Sequence, residues 1–115
     1  MRARRDAPKL PFYDPMMVAE LVVSGKRRIT TNALDAAAEM DVAEPQVWEY
    51  IRKLAERGKF CRTVESTRCP GQLLDEWKIR CEGQLAYVKI KIQIDQQMNT
   101  VTLCVLSFSK NEEQT

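Results

Sequence analysis

The stretch AYVKIKIQID, residues 86–95, alternates between apolar and polar side chains. A period of two is typical of a β-strand that has one face in the core and the other in water. The apolar set is predicted to face the core: Ala86, Val88, Ile90, Ile92 and Ile94. The opposite face then carries a phenol and two ammonium groups, from Tyr87, Lys89 and Lys91.

Further strands are predicted on both sides of this stretch, at residues 59–67, 75–81 and 100–108. Three helices precede them, at residues 14–25, 30–40 and 43–58, and residues 26–29 are predicted to be a linker. Because the strands are joined by short turns, neighbouring strands are expected to be antiparallel. The chain is therefore predicted to be α+β, with three N-terminal helices packed on one face of a four-stranded antiparallel sheet.

The length of 115 residues predicts one domain with a single core. We expect an irregular N-terminal arm at residues 1–13, the domain at residues 14–110 and a polar tail at residues 111–115. No apolar run approaches the ~20 residues of a membrane-spanning helix, and the basic N-terminus lacks the apolar stretch of a signal peptide. The sequence therefore predicts a cytoplasmic protein with no membrane partner.

The residue types exclude several kinds of chemistry. The sequence contains no histidine, and none of its four cysteines forms a C-x-x-C pair, so neither a metal site nor a cofactor is predicted. Without histidine there is no Ser–His or Cys–His pair and no two-histidine ribonuclease mechanism. Proton transfer in an enzyme of this sequence would use Tyr, Lys, Asp, Glu or water.

The polar face of the central strand is cationic, and the neighbouring strands extend it. They contribute Arg62, Trp77, Lys78 and Arg80. Single-stranded nucleic acid binds such surfaces, because cations neutralise its phosphates and its exposed bases stack on aromatic rings. Lysines on the open face of a sheet also occur as a solvated face that resists edge pairing, so the alternation alone leaves both interpretations open.

The same groups can cleave RNA by attack of a 2′-OH on the adjacent phosphate. This reaction needs a group that takes the 2′ proton, positive charge at the phosphorane and a proton for the departing 5′ oxygen. Arginine and lysine can supply the charge without a metal. The surrounding cations are expected to lower the pKa of Tyr87 below its ordinary ~10, which favours proton transfer. Asp75 or Glu76 is the alternative base.

The order of several segments resembles the motility quorum-sensing regulator (MqsR) toxin family. These segments are LVVSGKRRITTNALDAAAEMDV, VWEYIRKL, KFCRTVEST, DEW, AYVKIKI and VLSFSK, within residues 16–110. The resemblance implies a RelE-like fold and a metal-independent, ribosome-independent endoribonuclease that cleaves single-stranded mRNA (an mRNA interferase). It also implies a type II toxin–antitoxin system, in which the toxin forms an oligomer with an MqsA-like antitoxin that binds zinc and DNA.

The resemblance also implies a set of site residues. Tyr87 and Lys89 match the family's strand tyrosine and lysine, and Arg62 replaces another family lysine. Asp75 falls on a family glutamine, and the family's terminal lysine corresponds to Ser109 or Lys110. We therefore predict two groups of residues. The catalytic group is Tyr87, Arg62, Lys89 and Asp75, and the RNA-binding group is Lys91, Lys110, Trp77, Lys78 and Arg80.

Two alternatives stay open. Residues 29–60 also fit a winged-helix DNA-binding regulator, in which Gln46, Glu49, Arg52 and Lys53 would address DNA. The second alternative is an inactive binding protein that keeps the toxin fold, because Asp75 replaces an amide beside the phosphate. The sequence does not identify the bases read, the oligomeric state, the antitoxin contact surface or the role of the N-terminal arm.

Overall fold

The computed structural model describes residues 10–111. The helices of this part are α1 (Pro15–Val23), α2 (Thr31–Glu39), α3 (Glu44–Arg52) and α4 (Leu54–Arg57). The strands are β1 (Arg27–Ile29), β2 (Gly58–Glu65), β3 (Leu73–Cys81), β4 (Gln84–Asp95) and β5 (Thr100–Lys110). The predicted α+β class is therefore confirmed, with differences in the numbers of helices and strands.

The sheet is five-stranded and mixed, in the order β1-β5-β4-β3-β2. β2, β3, β4 and β5 pair antiparallel as predicted, whereas β1 pairs parallel to β5. The prediction of four strands is wrong because residues 27–29, predicted to be a linker, form this short strand. Arg27 helps to hold it, since its guanidinium donates to the Val22 carbonyl at 2.6 Å and lies 4.8 Å from the centroid of the Trp48 ring. Three residues are too few to show a period of two in the sequence.

The predicted third helix is divided in two. Lys53 has φ −103° and ψ 16°, outside regular helical geometry, so α3 ends there and the short α4 follows. Gly58 then begins β2, where a Cβ would lie 2.9 Å from the Leu54 side chain and 3.1 Å from Trp77. Glycine is therefore required at this position by the close approach of α4 and β3.

The helices begin where capping chemistry predicts. Asp14 accepts a hydrogen bond from the Met16 amide at 2.9 Å, and Pro15 is the first residue of α1. Thr30 accepts from the Ala33 amide at 3.1 Å and so caps α2. Gly25 has φ 79°, the left-handed conformation expected after a helix.

The core lies between the helices and one face of the sheet. Its helical side includes Val18, Val22, Ala37, Val47 and Ile51, and its sheet side includes Ile79, Ala86, Val88, Ile90, Leu103, Val105 and Phe108. The predicted inward set of β4 is confirmed through Ile90, while Ile92 is half-buried. Ile94 is 67% exposed, so its predicted burial is wrong; it lies at the end of β4, next to the turn that joins β4 to β5.

The two ends of the predicted domain lie partly outside the described residues. Residues 10–13 have no helix or strand, and residues 1–9 of the predicted arm are not described. Asn111 is buried and its amide donates to the Leu85 carbonyl at 2.8 Å, whereas residues 112–115 of the predicted tail are not described. Within residues 10–111, no helix is both long and apolar enough to span a bilayer.

Candidate functional site

The register of the sheet places a tyrosine, a lysine, an arginine and a glutamate on the face away from the helices. Glu76 pairs with Arg62 of β2 and with Lys89 of β4, while Tyr87 is the second residue before Lys89 on the same strand. Directly paired residues share a face of a sheet, and so do residues two apart on one strand. These four residues are called the carboxylate cluster below: Arg62, Glu76, Tyr87 and Lys89.

Glu76 is the centre of the carboxylate cluster and is only 2% exposed. Arg62 Nε donates to Glu76 Oε1 at 2.7 Å, and the Tyr87 hydroxyl donates to the same oxygen. Lys89 Nζ lies 3.7 Å from Glu76 Oε2. From the sequence alone, Glu76 is predicted only as an alternative base. Glu76 lies two residues before Lys78 and four before Arg80 on the same strand. This even spacing is the sequence signal that places Glu76 on the open face with them.

The electrostatics of the carboxylate cluster favour an ionised glutamate. Burial by itself raises the pKa of Glu76, but hydrogen bonds from Tyr87 and Arg62 and the charges of Arg62 and Lys89 outweigh it. The pKa of Glu76 therefore lies below its ordinary value of 4.5. A buried carboxylate with this pKa is negatively charged at neutral pH and able to accept a proton.

The pKa of Tyr87 is raised, whereas the sequence predicts that it is lowered. Burial raises its pKa above the ordinary value of 10.0, and the hydrogen bond to Glu76 raises it further. The hydrogen bond and charge of Arg62 lower the pKa of Tyr87 without reversing that shift. The prediction of a lowered pKa is therefore wrong, because the phenol is partly buried and contacts an anion, neither of which a count of nearby cations takes into account. Tyr87 is a neutral phenol at neutral pH.

Asp75 lies on the other face of β3 and does not join Tyr87. It is fully buried, pairs with the core residue Ile90, and accepts from the Thr63 hydroxyl at 2.6 Å. It also accepts from the backbone amides of Phe12 and Tyr13, at 3.1 and 2.8 Å. The structure therefore does not bring Asp75 together with the other three residues of the predicted catalytic group, because consecutive strand residues point to opposite faces. Its carboxylate anchors the segment before α1.

Two predicted RNA-binding residues also lie on the helix side. Trp77 is 5% exposed in the core, where its ring packs edge-on against Phe60 with centroids 5.6 Å apart. Lys110 pairs with Ala86, whereas Ser109 pairs with Tyr87. The prediction that Trp77 and Lys110 share a surface with Tyr87 is wrong, because both side chains have the other strand parity. Ser109 occupies the position beside Tyr87.

The remaining predicted cations do share the open face. Lys78 pairs with Tyr87, and Arg80 is exposed two residues further along β3. Lys91 follows Lys89 on the same face and donates to Gln72 Oε1 at 2.7 Å. Together with Arg62 and Lys89 they form what is called the basic face below: Arg62, Lys78, Arg80, Lys89 and Lys91.

Arg28 extends the basic face and was missed as a site residue. It pairs with Cys104, which in turn pairs with Lys91, so the three side chains share one face. Its Nε donates to Cys104 Sγ at 3.3 Å. No sequence pattern indicates this placement, because the three residues 27–29 are too few to show the period of a strand.

The described part of the chain contains no group of three or more Cys, Asp or Glu side chains placed to hold a metal ion. A scan against protein-family models gave no match, and a search of curated proteins gave none either. The resemblance to the MqsR toxins therefore stays a prediction, and the function has to be inferred from the geometry of the carboxylate cluster.

Proposed function

We propose that this chain is a metal-independent endoribonuclease that cleaves single-stranded mRNA by attack of a 2′-OH on the adjacent phosphate. The observation that supports this proposal best is the carboxylate cluster itself. It brings a neutral phenol, an ionised carboxylate and two cations within contact distance on an open sheet face. These are the groups that the reaction requires in the absence of histidine.

In the proposed reaction, Tyr87 and Glu76 move the 2′ proton together. The phenol oxygen takes the proton of the attacking 2′-OH while the phenol proton passes to Glu76. The O2′–P bond forms, and the P–O5′ bond breaks with its electron pair on O5′. Lys89 gives a proton to O5′, so the products carry a 2′,3′-cyclic phosphate and a 5′-OH. Exchange with water restores Lys89 and Glu76.

Arg62 is proposed to stabilise the charge of the phosphorane. Its side chain is 64% exposed while its Nε contacts Glu76, so the guanidinium is accessible from solvent to a phosphate. A planar guanidinium suits the oxygens of a phosphate, and a fixed charge at this point acts where negative charge develops. Lys89 provides the second positive charge, with a side chain that is 36% exposed.

The basic face is proposed to bind the RNA strand on both sides of the scissile phosphate. Lys78 and Arg80 extend from the carboxylate cluster along β3 in one direction, and Lys91 extends along β4 in the other. Electrostatic contacts of this kind are independent of sequence and weaken as salt is added. The proposal therefore includes RNA binding that depends strongly on ionic strength.

Cleavage of single-stranded RNA in EDTA by the purified chain tests this function. We expect Tyr87→Phe to lower the rate by about 10²–10⁴-fold, because the phenol proton is lost, and Arg62→Ala by about 10²–10³-fold. Tyr50→Phe is the matched control, since Tyr50 packs against Phe108 on the helix side and is expected to leave the rate unchanged. Equal rates for wild type and Tyr87→Phe would exclude the mechanism.

A regulatory partner is part of the proposal. An active ribonuclease has to be restrained, and the family resemblance suggests an MqsA-like antitoxin that binds zinc and DNA and forms an oligomer with this chain in the cytoplasm. Co-purification with the product of the neighbouring gene tests this point. Recovery of the chain alone after co-expression would contradict it.

The two alternative functions make different predictions for the same samples. The winged-helix alternative is less well supported, because β4 and β5 extend the sheet and the Arg52 guanidinium contacts Glu49 at 2.9 Å on the exposed side of α3. Tight, salt-dependent binding of duplex DNA without cleavage of RNA would favour it. RNA or antitoxin binding without cleavage would favour an inactive toxin-like protein.

A further inference from the structure

A cleft of about 620 Å³ opens beside the carboxylate cluster on the same side of the sheet. The end of β2 and the first residues of the turn that follows it, residues 64–68, line it on one side, and residues 30–32 at the start of α2 line it on the other. Three paired residues form its floor, since Glu76 pairs with Lys89 and Lys89 pairs with Ser107. Its size lies within the roughly 300–1,000 Å³ that is usual for pockets binding small organic groups.

Two residues of the carboxylate cluster, Glu76 and Lys89, also line this cleft. A phosphate placed at Arg62 and Lys89 for the proposed reaction would therefore lie at the edge of the cleft. The base of a neighbouring nucleotide is attached to the same short stretch of backbone and can enter the cleft without moving that phosphate. The cleft is thus placed to contact a base beside the scissile bond.

The lining has the chemistry of a base site. Apolar side chains of Val64, Leu74 and Leu106 offer surface for the flat faces of a base. Polar groups that can donate and accept hydrogen bonds are contributed by Thr31, Asn32, Ser66 and Ser107. Single-stranded RNA is read by contacts of this kind, on the faces and edges of unstacked bases.

Both sides of the cleft are held by hydrogen bonds within the protein. The Thr30 amide donates to the Val105 carbonyl at 3.1 Å, which fixes the start of α2 against β5. In the turn, the Ser66 amide donates to the Gln72 carbonyl at 2.8 Å, and the Gly71 amide donates to Glu65 Oε2 at 2.7 Å. The cleft is therefore formed before a ligand binds, which lowers the entropy cost of selective binding.

We propose that this cleft binds one base adjacent to the scissile phosphate and sets the sequence preference of the enzyme through Thr31, Asn32 and Ser107. The inference rests on the proposed ribonuclease function and adds its specificity site. The basic face then supplies affinity without selectivity, and the cleft supplies selectivity.

Binding can be tested separately from cleavage with short single-stranded RNAs that are 2′-O-methylated throughout and cannot react. Backbone amide signals of the ¹⁵N-labelled chain are followed by NMR as tetranucleotides with one fixed base are added. We expect shifts at Thr31, Asn32 and Ser107 that differ between bases. Shifts confined to the basic face would overturn the base site while leaving the proposed function intact, and an absence of any RNA binding would overturn both.

Cleavage-site sequencing provides the second readout. Asn32→Ala is expected to reduce discrimination at one nucleotide position by about tenfold while total cleavage continues. Gln97→Ala is the matched control, because this exposed amide lies in the β4–β5 turn and does not line the cleft. An unchanged base preference in Asn32→Ala and in a Ser107→Ala variant would overturn the proposal.

Discussion

The substitution Glu76→Gln tests whether the carboxylate cluster is held together by a buried negative charge. A hydrogen bond to a charged group contributes about 1.5–3 kcal/mol and a neutral one about 0.5–1.5 kcal/mol. Glu76 is 2% exposed, so the bond from Tyr87 is little screened, and its change from charged to neutral costs about 1 kcal/mol. The salt bridge of Arg62 is mostly exposed and adds little. We expect a free energy of unfolding about 1 kcal/mol lower at neutral pH, and a Tm about 4 °C lower.

The difference in the free energy of unfolding between wild type and Glu76→Gln is expected to depend on pH. The folded-state pKa of Glu76 lies below 4.5, so its contribution to stability is complete above the unfolded pKa and is lost as the pH falls through the folded pKa. Wild type and Glu76→Gln should therefore differ in urea unfolding at neutral pH and converge in acid. Glu49→Gln, at an exposed ion pair, should leave stability unchanged. A Glu76→Gln effect of equal size at every pH would show that the negative charge of Glu76 does not stabilise the carboxylate cluster.

Three further predictions follow from residues outside the carboxylate cluster. Asp75→Ala should lower the free energy of unfolding by about 2–3 kcal/mol in urea, since three donors lose their acceptor. Amide exchange at Phe12 should become fast in this variant, and unchanged exchange would contradict the anchoring role of Asp75. Trp77→Ala should cost about 3–5 kcal/mol in urea unfolding, as for other core aromatics, and a stability close to wild type would place Trp77 outside the core. Burial raises the pKa of Cys81 to about 11. Iodoacetamide at mildly alkaline pH should therefore modify the exposed Cys69 and leave Cys81 unmodified, as mass spectrometry can show. Early labelling of Cys81 would contradict its burial.

Most of the fold follows from periodicity and helix capping. The alternation in residues 86–90 places Ala86, Val88 and Ile90 in the core because a strand beneath a layer of helices has one dry face. The caps at Asp14 and Thr30 locate two helices. The strand at residues 27–29 could not be found this way, since its pairing with β5 depends on residues more than 70 positions away.

The residues on the open face of the sheet could be predicted only where the other face of the strand is buried and exposure alternates. β4 has that pattern, and its residues Tyr87 and Lys89 lie where they were expected. In β3 the four residues from Leu74 to Trp77 are all buried, so exposure does not alternate there. Two of these four are acidic. The cost of burying each carboxylate is offset by hydrogen bonds or charges from other segments, and a sequence pattern does not show such contacts. Asp75 and Trp77 were therefore assigned to the wrong face.

The predicted direction of the Tyr87 pKa shift is also wrong because contacts from a neighbouring strand are not visible in the sequence of β4. Counting nearby cations along β4 predicts a favoured phenolate, whereas the register brings Glu76 of β3 between Tyr87 and Lys89. Burial of the phenol raises its pKa most, and the Glu76 carboxylate in direct contact raises it by more than the Arg62 guanidinium lowers it. The result changes the proposed role of Tyr87 from a lone base to one half of a proton-transferring pair with Glu76.

Attack by the 2′-OH is tested by single-turnover cleavage, in EDTA, of an RNA that carries one 2′-deoxynucleotide immediately 5′ to the cut. We expect 2′,3′-cyclic phosphate ends on the normal RNA and no cleavage at the modified position, although the modified RNA still binds. Cleavage that continues at the deoxynucleotide, or a normal RNA left intact by the wild-type protein, would contradict proton transfer through Tyr87 and Glu76.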